Sequence, residues 1–235
     1  MKNTFFLIIF FASLSIICSA QKWSVEGAIG LREVDNNLQI VAGSVVESEA
    51  VYPMLQANIN YHLSDKWFLS SGLQIHDFSI RTVVDQDNFN TLLQKHIVPG
   101  IPLGINHVFR ADKKWNIEVG TGSLFLIPSL KRTIIVNGNI FLEDGQLPQN
   151  RFSKSEQATF PNAITINPYL KAGINVNLEK IVLFWNYQYN IGTSTVLDRT
   201  IKYSLIDQGE ANISTNGTGI QTAFGVRFKF KEKTK

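Results

Sequence analysis

Trp115-Asn116-Ile117-Glu118-Val119-Gly120-Thr121-Gly122 puts bulkier, mostly apolar residues on odd positions and small or polar ones on even positions. Successive side chains of a β-strand point to opposite faces, so this stretch reads as a strand with one greasy and one polar side. The same rhythm recurs on both sides of it. From about Lys22 to Glu33, Trp23, Val25, Ile29 and Leu31 oppose Ser24, Glu26, Ala28 and Gly30. From Val51 to Leu63, Val51, Leu55, Ala57, Ile59 and Tyr61 oppose Gln56, Asn58, Asn60 and His62. Trp67 opens a third such strand and His96 to Phe109 forms a fourth. After the quoted fifth come Ile164 to Leu178, Ile181 to Asn190, and a last strand from about Ile220 to Phe230.

What joins these segments alternates in length. Ser64-Asp65-Lys66, Ala111-Asp112-Lys113-Lys114 and Glu179-Lys180 are tight turns of suitable chemistry. Between them lie longer polar stretches to about Ala50, through Asp85-Gln86-Asp87-Asn88, over residues 127–163, and from Thr193 to Gly217. Three short and four long connections imply an even strand count with both termini at the short-turn end. The expected fold is therefore all-β: an eight-stranded antiparallel transmembrane β-barrel with short periplasmic turns and long extracellular loops. Asn137-Gly138, flanked by Ile134-Ile135-Val136 and Ile140-Phe141-Leu142, predicts a hairpin standing above the membrane. A ten-stranded count is the alternative.

Alternation alone does not say which face is outside, since a soluble lipocalin-like barrel inverts the two. Trp23, Trp67 and Trp115 each begin a strand at the short-turn side, while Phe109 and Phe230 end strands there. Three tryptophans at equivalent positions, with the two phenylalanines beside them, read as a girdle at one membrane interface. The opposite faces carry Glu26, Glu118, Lys171 and Arg227 among many Asn and Gln residues, a set too costly for a dry soluble core. Pro53, Pro99 and Pro168 fall near the loop-side start of strands, where pairing is ending. Pro102 sits deeper and predicts a β-bulge.

Residues 1–20 read as a secretory signal peptide: Lys2, an apolar run from Phe5 to Ile17, then Cys18-Ser19-Ala20 before cleavage. Ile17 is too large for the position preceding a lipoprotein cysteine. Cys18 is the chain's one cysteine, so residues 21–235 hold no disulfide and no thiolate site. A formal charge of +3 is too small to argue for a nucleic-acid partner.

Three stretches carry a family resemblance: Leu63-Ser64-Asp65-Lys66-Trp67, Ile97-Val98-Pro99-Gly100-Ile101-Pro102-Leu103-Gly104-Ile105, and Gly225-Val226-Arg227-Phe228-Lys229-Phe230. With them the chain resembles the PorT-like outer-membrane β-barrel family, whose architecture is related to the OmpA and OmpX barrels. The resemblance implies a bacterial outer-membrane location and outer-membrane lipids as neighbours. It also implies recognition of the last strand by barrel-assembly machinery, with Phe230 as the closing aromatic, although Lys231 to Lys235 follow it. Participation in protein secretion or envelope assembly is a further implication.

The candidate chemistry is sparse. Glu26, Glu118, Lys171 and Arg227 form a predicted lumen charge cluster, read either as a gate or as filler of a narrow barrel. His62, His76, His96 and His107 match no metal-ligand spacing, and nothing points to a cofactor. His76-Asp77 with Ser79 is the one group to inspect for catalysis, as in a PagP-like lipid-modifying enzyme. The expected protein is non-enzymatic, with long loops available to an envelope or surface partner.

Overall fold

A computed structural model describes residues 22–42, 45–48, 51–78, 81–84, 89–92, 96–128, 133–141, 151–178, 180–204 and 208–230. The signal segment with Cys18, Ser79 and the tail from Lys231 to Lys235 lie outside these residues. The described residues form strands and no helix. In chain order the strands are β1 (Lys22–Ala42), β2 (Val45–Ser48), β3 (Val51–His62), β4 (Trp67–Asp77), β5 (Arg81–Val84), β6 (Phe89–Leu92) and β7 (Ile97–Phe109). There follow β8 (Trp115–Leu126), β9 (Thr133–Phe141), β10 (Arg151–Thr159), β11 (Thr165–Leu178), β12 (Ile181–Asn190), β13 (Leu197–Ser204) and β14 (Gln208–Lys229).

Eight strands close a ring in the order β1-β3-β4-β7-β8-β11-β12-β14, with β14 pairing back onto β1. All eight pairings are antiparallel, so the ring leaves no sheet edge at membrane depth. Eight strands, not ten, make the wall. The faces follow the two-residue rhythm: Ile29, Leu55, Leu69, Leu103, Ile117, Leu170 and Phe224 are exposed, while Asn58, Asn60, Asn106, Glu118, Asn175 and Gln221 are buried. That is the inverse of a soluble barrel, and it sets the apolar wall against lipid. From Trp23 to Glu33 the chain covers about 33 Å along the strand, roughly 25 Å of height at a tilt of about 40°. This matches the apolar band of an outer-membrane barrel.

Two expectations are corrected. Asn137-Gly138 makes no hairpin turn: it lies inside β9, where Asn137 pairs with Ser155 and Gly138 with Lys154 of β10. The β-branched residues on either side favour extended backbone, and a nine-pair ladder with β10 outweighs the local turn signal. Pro102 makes no bulge. The β4–β7 ladder pairs Ser71 with Leu103 and then Gln74 with Gly100, keeping register across an unpaired gap at Pro102. Proline removes one donor, and the wall tolerates the missing rung because β7 remains fully paired with β8 there.

The long connections are also more structured than their polarity suggests. β1 continues to Ala42 and β14 begins at Gln208, so this pair runs on well beyond Glu33. β13 pairs with the early part of β14, β10 with β13, and β9 with β10. The connections after β1 and β4 contribute β2, β5 and β6, a separate three-stranded sheet. Where barrel and extension meet, Asp35 alone faces Asn216-Gly217-Thr218, a bulge between Val34/Gly219 and Asn36/Thr215. Gly217 takes φ +78°, a conformation costly for any residue with a Cβ.

Candidate functional site: a lumen closed at two levels

All four charged residues singled out from the sequence meet in the barrel interior. Arg227 donates from Nε to Glu26 Oε2 and from Nη2 to Glu118 Oε2, both at 2.9 Å. Lys171 Nζ stands 2.7 Å from Glu118 Oε1. The four are buried, and two positive charges balance two negative ones. Strand order explains the span: β1 and β8 lie four places apart in a ring of eight, on opposite walls. Arg227 on β14 therefore ties Glu26 on one wall to Glu118 on the other.

Amides fill the remaining acceptor capacity. Asn58 and Gln56 donate to Glu26 Oε1 at 2.7 and 3.2 Å, and Asn60 donates to Oε2 at 3.1 Å. Asn175 donates to Glu118 Oε2 at 3.1 Å and to Asn116 Oδ1 at 2.9 Å. The guanidinium lies 4.6 Å from the ring centre of Phe68 and 5.5 Å from that of Phe184. Such a site is costly to assemble, and it survives burial because each charge has both a counter-charge and hydrogen bonds. Below it a vestibule of about 720 Å³ opens at the short-turn end, lined by residues that include His62, Lys66, Asp112, Asn177, Arg227 and Lys229.

A second closure lies toward the long-loop end. Phe78, Val98, Leu124, Leu126, Phe160, Tyr169 and Val196 pack into one buried apolar cluster. Arg32 and Arg199 are buried beside it. Arg32 lies 4.6 Å from the ring centre of Phe78 and donates from Nη2 to the Gly217 carbonyl at 2.9 Å. Arg199 donates to the Phe78 carbonyl. Parity could have found Arg32, which continues the inward series Ser24, Glu26, Ala28 and Gly30. Arg199 gave no such signal, because its strand β13 is set by pairing with β14 and β10, above the membrane.

The girdle residues Trp23, Trp67, Trp115, Phe109 and Phe230 are exposed on the outer wall at the short-turn end. His107 packs against two of them, tilted at 4.3 Å from Trp67 and edge-on at 4.5 Å from Phe109. The other histidines go elsewhere: His62 is 2.8 Å from Ser24 Oγ, His76 is buried in the lumen, and His96 packs edge-on against Phe160. Among the described residues, no three His, Cys, Asp or Glu side chains gather as metal ligands would. His76 and Asp77 are consecutive in β4, so the pleat sends their side chains to opposite faces and they do not converge.

No family model and no curated relative matches the sequence. Solved structures do. Outer membrane protein OprG from Pseudomonas aeruginosa shares 13% identity over 90% of this chain and 96% of its own, at a TM-score of 0.56. Neisserial surface protein A shares 11% identity over 90% and 100% at 0.43, and outer membrane protein W of E. coli 14% over 87% and 98% at 0.36. The likeness to OprG carries the fold. With the apolar belt, it makes this chain an outer-membrane β-barrel of the small eight-stranded type.

Proposed function

We propose that this barrel is a closed membrane anchor whose working part is the sheet it carries beyond the long-loop end. The observation behind this reading is the doubly closed lumen: a fully paired charge cluster on one side and an apolar cluster on the other. Solute passage would have to break both. The chain instead invests its length in continuing β1 and β14 and pairing them with β13, β10 and β9. A stiff sheet held at a membrane surface suits recognition of an envelope or surface partner. Membership of an envelope-assembly or secretion system, as PorT-like resemblance implies, is the finer form of the same reading. Insertion would use the barrel-assembly machinery acting on β14. The lipid-modifying alternative loses its catalytic group with the divergence of His76 and Asp77.

The test has two arms. In planar bilayers the purified barrel should show no stepwise conductance. A photocrosslinking residue at exposed Gln157 should give a discrete adduct in cells, and the same residue at lipid-facing Leu170 should not. Steady channels without an adduct would overturn the proposal.

A further inference from the structure

Charge balance in the lumen is uneven along its axis. The inner quartet cancels itself, leaving nothing over for a third cation. Arg32 lies six residues beyond Glu26 on β1, about 20 Å along the strand, and is out of that quartet's reach. It is only 1% exposed. Among the described residues, its contacts are one carbonyl, that of Gly217, and the ring face of Phe78. Neither is an anion. Nε and Nη1 have no hydrogen-bond partner among the described residues.

A second group stands beside the same ring. His76 is fully buried, its ring centre 6.4 Å from that of Phe78, and neither ring nitrogen has a hydrogen-bond partner among the described residues. On β7, Val98 is its cross-strand partner, and Gly100 lies next to it, where a Cβ would come within 3.2 Å of Nε2. With Phe78 on the guanidinium face, the unused N–H groups of Arg32 lie along its edge.

Burying a guanidinium without a counter-charge is among the most costly arrangements in a protein, and water would satisfy its donors without cancelling its charge. We propose that the outer half of the lumen binds a small inorganic anion of halide size between Arg32 and His76. The anion accepts from the free N–H groups of Arg32 and from one imidazole N–H. Close packing by Phe78 and Leu124 restricts the site to small ions. Charge-assisted bonds of this kind are roughly twice as strong as neutral ones.

The experiment uses the folded full-length barrel in detergent, with chloride as probe and gluconate at equal ionic strength as the bulky control. Chloride and bromide should raise the temperature midpoint of heat-modifiable gel migration in a saturable way, and gluconate should not. Arg32→Met should lose that dependence and, in gluconate, should unfold at or above the wild-type midpoint, because it removes an uncompensated charge. Crystals grown in bromide should show an anomalous peak within hydrogen-bond distance of Arg32, a readout independent of how the variant folds. A wild type indifferent to chloride, an Arg32→Met barrel that responds as the wild type does (an adventitious ion only), or bromide found only elsewhere would each overturn the proposal.

Discussion

Glu26 on β1 and Arg227 on β14 are direct cross-strand partners, joined at 2.9 Å although 201 residues apart in sequence. Their pair sits on the seam where the first and last barrel strands meet. The barrel is thus closed at that level by a salt bridge as well as by backbone hydrogen bonds, and the same guanidinium reaches Glu118 on the far wall.

Arg227→Met leaves both carboxylates with one cation, Lys171, between them. Loss of one member of a buried pair costs about 3–5 kcal/mol, so unfolding in urea should occur at clearly lower concentration. Adding Glu26→Gln restores a balanced Lys171–Glu118 pair. The double variant should recover most of the loss, and a double-mutant cycle showing simple additivity would contradict the tie across the lumen.

Depth in the membrane should be readable on the outer wall. Ile29 is 66% exposed and lies near mid-height, whereas Val51, 58% exposed, pairs opposite its end at Glu33. Ile29→Arg is expected to cost about 2–4 kcal/mol in lipid vesicles and Val51→Arg about 0–1 kcal/mol. Equal costs at the two positions would displace the proposed belt.

Gly104 and Gly122 are cross-strand partners, and both leave room for the Tyr169 hydroxyl. A Cβ would fall 2.1 Å from that oxygen at Gly104 and 2.7 Å at Gly122. Gly104→Ala should therefore lower the midpoint of heat-modifiable migration by an amount equivalent to about 1–3 kcal/mol. Tyr169→Leu in the same chain should return part of it.

Asp112 provides a contrast. Its hydrogen bond with Lys113 holds its pKa below the ordinary carboxylate range, but both side chains are well exposed. Any stability from this lowered pKa is present above the unfolded-state value and lost as pH falls through the folded one. For a solvent-screened pair the gain is small. Asp112→Asn should leave both the midpoint and its pH profile within error of wild type.

The inward set was legible because parity is local: Glu26, Glu118, Lys171 and Arg227 each sit on the polar side of an alternating strand. Their mutual contact was not legible, since alternation assigns a face but neither height nor rotation around the axis. Those come from how neighbouring strands are staggered, as in Glu26 opposite Arg227 and Glu118 opposite Gly173. The extension was hidden for a related reason. β13 and the early part of β14 read as a polar loop because strands above the membrane need no lipid-facing apolar row. The Asn137-Gly138 signal misled because nearest-neighbour turn preference competes with nine backbone pairs formed with a strand that begins thirteen residues later.

The sequence by itself determined which side chains face lipid and which face inward, because a strand's pleat obliges consecutive residues to diverge and hydrocarbon rejects charge. Only the tertiary structure decided that the inward charges form one neutral knot across opposite walls, that Pro102 costs a rung without shifting register, and that Arg32 stands apart from any carboxylate among the described residues. These depend on stagger between strands distant in the chain, a quantity set when the ring closes on itself.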